Sequence, residues 1–393
     1  MRHWLEVGRN ELAGWLAEAG QPAYRAEQFL RWLHRERAAG FTAMKNLPLE
    51  LRRILADAGS LRVLEERERR TAPDGLTAKL LFAAPGNALL ESVLIVEKRL
   101  SRRTACLSCM AGCPLGCRFC ATGNLGFVRN LAAGEIVEQA YRLDALAREN
   151  GGAGLSHAVF MGMGEPLLNL PAVLAAADRL AAEPGLGLSG RRLTLSSVGI
   201  PEGILALAQS GRNYRFALSL HAPNQQLREQ LMPAARHWPL ERVLAALDRY
   251  ALSASRDITY EYCLIEGMNS SPRQALALAR LLAGRRGRVN LIPLNPTPGN
   301  EFKAPRPARV REFQETLVAA GIQATVRMEK GAAIGAACGQ LRAEASAVGD
   351  IPAWPCGQIA DNRSFQAAGR VSPARGKAGD AAQSSRLPFR LKN

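Results

Sequence analysis

Short runs of apolar residues with the strand period fill the middle of the chain, and stretches with helical periodicity separate them. Strands are predicted at residues 158–161, 192–196, 216–220, 258–262, 289–292 and 323–326. Helices are predicted between them, at residues 134–150, 170–182, 240–251 and 306–320. This alternation indicates an α/β fold in which helical crossovers join parallel strands. The pattern alone does not choose between an open doubly wound sheet and a full or partial barrel.

Small and polar residues occupy the carboxyl ends of these strands, which is the edge where parallel α/β sheets bind ligands. The residues concerned are Gly164, Glu165, Ser196, Ser219, Leu220, His221 and Asn295. A Gly-Met-Gly turn at 162–164 lets the backbone approach a ligand closely and leaves N–H groups to bind it. Taken alone, His221 fits a packed structural histidine better than a ligand contact.

Helical periodicity also marks the first 60 residues. A first helix is expected between Asn10, its cap, and Gly20, and a third is expected to begin at Pro48 and to end near Gly59. A second helix between them carries an apolar stripe made by Tyr24, Phe29, Leu30 and Leu33. Residues 1–60 are therefore expected to form a helical accessory domain that packs on the rest of the chain.

The remaining chain divides into three regions by composition. Residues 61–98 predict a small β region, with strands at 79–82 and 91–95 and a turn at 73–75. The main α/β domain is expected to span residues 99–344. Residues 345–393 are rich in Ala, Gly, Ser, Pro and Arg, so they are expected to form a flexible basic tail.

The charge balance favours a polyanionic partner. The chain has 51 Lys and Arg residues against 35 Asp and Glu, for a net charge of +16 and a pI of about 10.1. Such a charge attracts nucleic acid through counterion release from phosphates, and the first helical region combines arginines with aromatic residues. A solvated basic surface is the alternative reading. No apolar run is long enough to span a membrane.

Five of the eight cysteines lie within fifteen positions, 106–120. Cys113, Cys117 and Cys120 have the spacing C-x3-C-x2-C, and Pro114 and Gly116 suit a tight loop between them. Three thiolates are one fewer than a closed iron-sulfur or zinc site requires, which leaves one coordination position open. The clustered thiols and the lack of an apolar signal segment predict a reducing compartment, the cytoplasm.

A zinc ribbon is an alternative, in which Cys106 and Cys109 pair with Cys117 and Cys120. Only seven residues separate those two pairs, whereas zinc patterns usually leave twelve or more. A disulfide framework is less favoured still, because a chain of this length needs no covalent staples.

Together these motifs resemble the RlmN-type radical S-adenosylmethionine methyltransferases, which act on adenine C2 in 23S rRNA and tRNA and are related to the C8-specific Cfr-type enzymes. The three-cysteine spacing and Cys106, seven residues before it, both match. So do YRAEQ at 24–28, GMGEPL at 162–167, SLH at 219–221, NLIP at 290–293 and AACGQL at 336–341. The resemblance implies a partial (β/α)6 barrel preceded by an RNA-binding helical domain.

The resemblance also implies a mechanism. Adenine C2 is not nucleophilic, so a carbon radical must add to the ring. Cys338 would take a methyl group from one S-adenosylmethionine, and a second molecule would supply the radical that activates this methyl group. Glu91 would accept the ring proton. Cys106 would then release the product by forming a transient disulfide with Cys338.

Cofactors and partners follow from the same resemblance. Cys113, Cys117 and Cys120 would hold one 4Fe-4S cluster, and the strand-end residues named above would bind S-adenosylmethionine, two molecules per turnover. The substrates would be adenosine 2503 of 23S rRNA and adenosine 37 of tRNA. Flavodoxin or ferredoxin would donate the electron, and the protein would act as a monomer.

Three positions depart from the family pattern. Cys109 adds a thiol after Cys106, and Ala333 and Gly335 replace acidic residues before Cys338. Two other functions remain open: a radical enzyme with a small substrate, and an RNA-binding scaffold with a structural metal. The former would not need the basic helical domain, and the latter would not need Cys338 or Glu91.

Overall fold

The computed structural model describes residues 2–149, 152–295, 301–327, 331, 334–336 and 340. The predicted tail at 345–393 lies outside these described residues. Within the described part, no helix is both long and apolar enough to cross a membrane.

The amino-terminal unit contains three helices, α1 (Arg9–Glu18), α2 (Tyr24–His34) and α3 (Leu49–Ala58). Its two ends meet where β1 (Arg2–His3) pairs in parallel with β2 (Gly59–Ser60). Trp4 lies at its centre, fully buried, with its indole N–H donating to the Leu55 carbonyl at 3.1 Å and its ring edge-on to Phe29.

The predicted cap of the first helix is wrong. The helix begins one residue before Asn10, and the cap is Gly8 in extended backbone. An Asn at the second position of the helix cannot accept from its own first turn as a cap residue does. Pro48 does directly precede α3.

One ten-stranded sheet runs through the rest of the molecule. Its strands are β3 (Glu65–Thr71), β4 (Thr77–Ala84), β5 (Ala88–Glu97), β6 (Arg102–Cys106), β9 (His157–Phe160), β10 (Leu193–Ser197), β11 (Arg215–Ser219), β12 (Ile258–Leu264), β13 (Gly287–Pro293) and β14 (Ala324–Val326). From β6 to β14 neighbouring strands are parallel and follow chain order, whereas β3, β4 and β5 extend the sheet in antiparallel fashion. The β region around 61–98 is thus continuous with the main sheet.

Helices cover the outer face of the parallel strands. They are α4 (Ala133–Arg148), α5 (Leu170–Ala181), α6 (Pro201–Gln209), α7 (Gln225–Leu231), α8 (Leu240–Ser253), α9 (Pro272–Leu282) and α10 (Pro307–Ala319). A small hairpin, β7 (Met110–Gly112) with β8 (Phe127–Asn130), interrupts the first crossover. The α/β fold predicted from periodicity is confirmed, and so is the partial barrel that the family resemblance implies. Helices α6, α7 and α9 are additions to the predicted set.

Alternation along the strands separates the helix-covered face from an inner face. In β10, Leu193 and Leu195 are fully buried against the helix layer, while Ser196 lines a cavity. Successive side chains in a strand point to opposite faces, so residues two apart share a face. The inner face is therefore the one on which Ser196 lies.

The amino-terminal unit packs against this framework through α4. Nδ1 of His34 lies 2.8 Å from the Tyr141 hydroxyl, and the Arg37 guanidinium pairs with the buried Asp144. Burial, followed by the charges of Arg179 and Arg37, lowers the pKa of His34 to about 4, so the ring is neutral at this contact near pH 7.

Candidate active site

Three cysteines share one wall of a cavity at the carboxyl ends of the parallel strands. Cys113, Cys117 and Cys120 lie in the loop between β7 and β8. Backbone contacts fix this loop: Cys113 N–H donates to Gly126 at 2.7 Å, and Cys120 N–H donates to Cys117 at 3.0 Å. Burial raises the pKa of Cys113 and of Cys117, so a bare thiolate is disfavoured there without a compensating positive charge.

The strand ends supply the facing walls of the cavity, which measures about 960 Å³ with its open mouth. The predicted residues that line it are Gly164, Glu165, Ser196, Ser219, His221 and Asn295. Leu220 is placed differently from its neighbours, because its side chain is fully buried and its N–H donates to the Glu261 carbonyl at 3.0 Å. The fold thus brings six of the seven predicted residues together around one cavity.

The backbone of the Gly-Met-Gly turn at 162–164 packs against residues 109–110, just before the three cysteines. Gly164 has φ of +101°, and a side chain there would place Cβ only 2.6 Å from Cβ of Met110. Glu165 follows, with its carboxylate oxygens accepting from the N–H groups of Leu167 and Val198 at 3.0 Å each. Burial raises the pKa of Glu165 to about 7 against these hydrogen bonds. The carboxylate is held in one orientation at the cavity wall.

His221 is both a packed residue and a cavity residue. Its Nδ1 accepts from the Cys263 N–H at 2.9 Å, and its ring stands edge-on to Phe119 at 4.8 Å between centroids. Burial, with a smaller effect from Arg228, lowers the pKa of His221 to about 3. A neutral imidazole that accepts at Nδ1 carries its proton on Nε2, so the ring can offer one N–H donor to a ligand.

Sequence reasoning missed part of this cavity. Glu261 and Arg327 also line it, and Asn290 donates to the Glu261 carboxylate at 2.7 Å. Cys263 is buried and lies on the cavity wall. A glutamate inside an otherwise apolar strand was the available signal for Glu261, because a charged group at such a position needs a partner or a function.

Glu91 lies in β5 and is almost completely buried. The Lys79 ammonium lies 2.8 Å from its carboxylate, and the exposed fractions of the two side chains are 7% and 3%. The same ammonium donates to the Gly335 carbonyl at 3.3 Å. Ser108 contacts the backbone of Glu91: its hydroxyl donates to the Glu91 backbone carbonyl at 2.6 Å and accepts from the Met163 N–H at 2.8 Å.

Cys106 shares a row with Lys79 across three strands. Lys79 of β4 pairs with Val93 of β5, which pairs with Cys106 of β6. Paired residues of neighbouring strands lie on the same face, and Glu91 is two residues from Val93. Cys106 also pairs with Val159, two residues before the cavity residue Met161. Lys79, Glu91 and Cys106 therefore occupy the inner face.

Cys338 lies outside the described residues, and so does Ala333. The nearest described residues before Cys338 are Gly335 and the buried Ala336. Because the Gly335 carbonyl contacts Lys79, the chain reaches the Lys79–Glu91 pair three residues before Cys338.

Comparison with known proteins agrees with this geometry. Residues 107–279 match the model of the radical SAM superfamily, and residues 4–60 match that of the ribosomal RNA large subunit methyltransferase N-terminal domain. The chain is 45% identical over 334 residues to a probable dual-specificity RNA methyltransferase RlmN of Moorella thermoacetica, covering 84% of this chain and 94% of that protein. This chain belongs to the RlmN family of radical SAM RNA methyltransferases.

Other RlmN relatives give the same result. A probable dual-specificity RNA methyltransferase RlmN of Thermosynechococcus vestitus is 44% identical, over 86% of this chain and 97% of that protein. The crystal structure of a radical SAM methyltransferase from Sphaerobacter thermophilus superimposes with a TM-score of 0.85 at 42% identity, covering 88% of this chain and 100% of that one.

Membership of the radical SAM superfamily implies a 4Fe-4S cluster and S-adenosylmethionine. The cavity fits both groups, because three thiols share one wall while carboxylate, hydroxyl, imidazole and amide groups line the others. Among the described residues, no three His, Cys, Asp or Glu side chains converge on one point as ligands of a single ion. In a 4Fe-4S cluster each thiolate binds its own iron, so its three cysteines need not converge on a single point.

Proposed function

We propose that this protein methylates C2 of adenine in RNA, at adenosine 2503 of 23S rRNA and at adenosine 37 of tRNA, through a methylated Cys338. The observation that carries the proposal is that Glu91 and Cys106 lie on the inner face of the sheet, the face that also carries the cavity residue Met161. The chain segment leading to Cys338 contacts the same arrangement through Gly335. An RNA scaffold with a structural metal would require neither a buried carboxylate nor a second thiol at this place.

The cluster and S-adenosylmethionine supply the radical chemistry when they are bound at Cys113, Cys117 and Cys120. Gly164, Glu165, Ser196, Ser219, His221 and Asn295 hold the S-adenosylmethionine, with Leu220 contributing only backbone. Rigid elements carry these groups, so they orient the ligand with little reorganisation.

Cys338 is the carrier of the new carbon atom. Its thiolate would attack the methyl carbon of one S-adenosylmethionine. The new carbon–sulfur bond makes a thioether at Cys338, and the sulfonium carbon–sulfur bond breaks to release S-adenosylhomocysteine. The bound cluster and a second S-adenosylmethionine would supply the radical that removes a hydrogen atom from this methyl group, and the cluster would take back the unpaired electron of the adduct. The carbon would then be bonded to C2 of the base in a closed-shell adduct. The base is then held covalently to Cys338 through one methylene bridge.

Glu91 accepts the C2 proton of that adduct. Its carboxylate lies 2.8 Å from the Lys79 ammonium, a contact that holds it in place on the inner face. Cys106 then attacks the Cys338 sulfur. The disulfide bond forms as the carbon–sulfur bond breaks, and the carbon remains on the base and takes up a proton to become the methyl group.

Several finer features belong to the same proposal. Residues 1–60 contribute RNA contacts, a carrier such as flavodoxin or ferredoxin supplies the electron, and a monomer acts in the cytoplasm. Two S-adenosylmethionine molecules are used per turnover. Family membership and the basic charge of the chain support these features.

Replacing Cys106 with Ala tests the assignment of the two thiols. The variant should still methylate Cys338 and attack RNA, so a covalent protein–RNA species should accumulate on denaturing gels. Cys109→Ala is the matched control, because this thiol is buried in contact with the Met163 carbonyl at 3.7 Å and should not be needed for release. An adduct that peptide mass spectrometry maps to any residue other than Cys338 would contradict the proposal.

A further inference from the structure

A mainly basic row of residues lies at the end of the parallel strands opposite the cavity. Each member lies four residues before a residue at the cavity end, in or directly before six neighbouring strands. The cavity-end row is Cys106, Met161, Ser196, Ser219, Glu261 and Ile292. The opposite row, here called the basic mouth, is Arg102, His157, Arg192, Arg215, Asp257 and Arg288.

Arg102, His157, Arg215 and Arg288 lie within strands, so alternation places their side chains on the inner face. Arg192 and Asp257 lie directly before β10 and β12, so all six residues lie at the amino-terminal end of the parallel strands. Four residues of extended chain correspond to about 13 Å, so the mouth is separate from the cavity. Between the two rows lie only small or modest side chains, at Thr104, Val159, Thr194, Ala217, Thr259 and Asn290. The large basic side chains thus begin where the strands begin.

The members of the basic mouth are close enough to affect one another. Burial, then the charges of Arg102, Arg192 and Arg215, lowers the pKa of His157 to about 4. Burial also lowers the pKa of Arg215, with further lowering by Arg288, Arg102 and Arg256. These arginines therefore repel one another across at least four strands.

Little acidic charge offsets this repulsion. Asp257, the one acid of the row, pairs at 3.4 Å with Arg286, and Glu97 lies 3.9 Å from Arg102. Across the part of the chain that the structure describes, no acidic side chain pairs with Arg192, Arg215 or Arg288, and all three are solvent-exposed. Unpaired guanidinium groups at one opening form a surface suited to bidentate contacts with phosphate oxygens.

We propose that the basic mouth is a second RNA-binding surface, which holds backbone phosphates away from the base that enters the cavity. RNA is the substrate class of the family, and a long RNA can reach both ends of the barrel at once. The inference rests on that substrate class and not on which carbon of adenine is methylated. An acidic electron-carrier protein fits less well, because the three cluster cysteines lie at the other end of the strands.

A charge-matched pair of variants tests the proposal. The mouth variant replaces Arg192, Arg215 and Arg288 with Gln. The control variant removes the same charge from exposed positions on α9 and α10, as Arg273→Gln, Arg280→Gln and Arg311→Gln. The probe is a tRNA transcript, and the readout is the dependence of the dissociation constant on salt concentration. Thermal melting by circular dichroism checks folding, and Arg288→Gln alone replaces the triple variant if the latter does not fold.

The mouth variant should bind the transcript more weakly, and its slope of log affinity against log salt should fall by about 2, since each phosphate contact contributes roughly 0.7 to 0.9. The slope of the control variant should differ from that of the parent protein by less than the contribution of about one phosphate contact. Equal changes in both variants would show that net charge alone acts and would overturn the proposal. Unchanged RNA binding together with lost binding of purified flavodoxin would also overturn it, in favour of a protein-docking surface.

Discussion

Replacing Lys79 with Met removes the positive charge next to the buried carboxylate of Glu91 while keeping a side chain of similar length. In the parent protein the two groups lie 2.8 Å apart, with 7% and 3% of their side chains exposed. Removing one partner of a buried ion pair costs about 3–5 kcal/mol when the other stays charged. A buried carboxylate can avoid most of this cost by taking up a proton, and a protonated Glu91 cannot accept one from the base.

The expected result is a specific loss of proton acceptance. An effect of about 3 kcal/mol corresponds to roughly a hundredfold slower step at neutral pH. The sign of the pH dependence follows from the same argument: raising the pH ionises the unpaired carboxylate, so the variant should recover part of its rate in alkaline buffer. The parent protein, with Lys79 in place, should change less over that range.

Loss of label from RNA deuterated at adenine C2 measures this step directly. Methylation of Cys338 and formation of 5'-deoxyadenosine, followed in the same reactions, report whether earlier steps survive. Arg37→Met is the matched control, because it breaks another pair with a buried carboxylate, that of Asp144 on α4, away from the cavity. Label loss from Lys79→Met at the parent rate, or equally slow loss in both variants, would refute the reasoning.

Three further predictions concern stability and metal content. Burial raises the pKa of Glu138 to about 7, so the folded protein holds this proton more tightly than the unfolded chain and loses stability as pH rises from about 4.5 to 7. Over that window, the free energy of unfolding of Glu138→Gln, measured with urea, should rise by up to about 3 kcal/mol relative to that of the parent. A difference between the two proteins that stays constant with pH would contradict this. Phe29→Ala should lower the free energy of unfolding by about 3–5 kcal/mol, because the Phe29 ring is fully buried against Trp4. Tyr24 is 54% exposed, so Tyr24→Ala should lower it by less than about 1 kcal/mol in the same assay. Replacing the three loop cysteines together should abolish iron binding after anaerobic reconstitution, and full iron content in that protein would remove the assignment of Cys113, Cys117 and Cys120.

The strands were the most predictable part of the fold. All six predicted runs coincide with β9 to β14 within two residues at each end, because parallel strands buried on one face and half-buried on the other carry strong apolar signals. The start of α1 was less predictable. Asn10 has the residue type of a cap, but the backbone turns into the helix one residue earlier, after Gly8.

The site was predictable where a motif marked it and unpredictable where only pairing across strands creates it. The three cysteines and the Gly-Met-Gly turn carry their chemistry in their spacing. Lys79 has no such mark: it is one lysine in an apolar strand, and its importance arises from β4–β5 register and from a contact with Gly335, 256 residues away.

The basic mouth illustrates the same limit. Its residues come from six segments of the chain, and only the pairing of the strands brings them to the same end of the sheet. In the sequence they contributed to the net charge of +16 without showing where that charge is concentrated.

The position of the new methyl group tests the central claim most directly. Anaerobically reconstituted protein, given a tRNA transcript or a 23S rRNA fragment, S-adenosylmethionine and a reductant, should convert adenosine to 2-methyladenosine, identified by mass spectrometry of the digested nucleosides against synthetic standards. The account predicts 2-methyladenosine from the intact protein and none from Cys338→Ala. Formation of 8-methyladenosine, or of 2-methyladenosine by the Cys338→Ala protein, would contradict it.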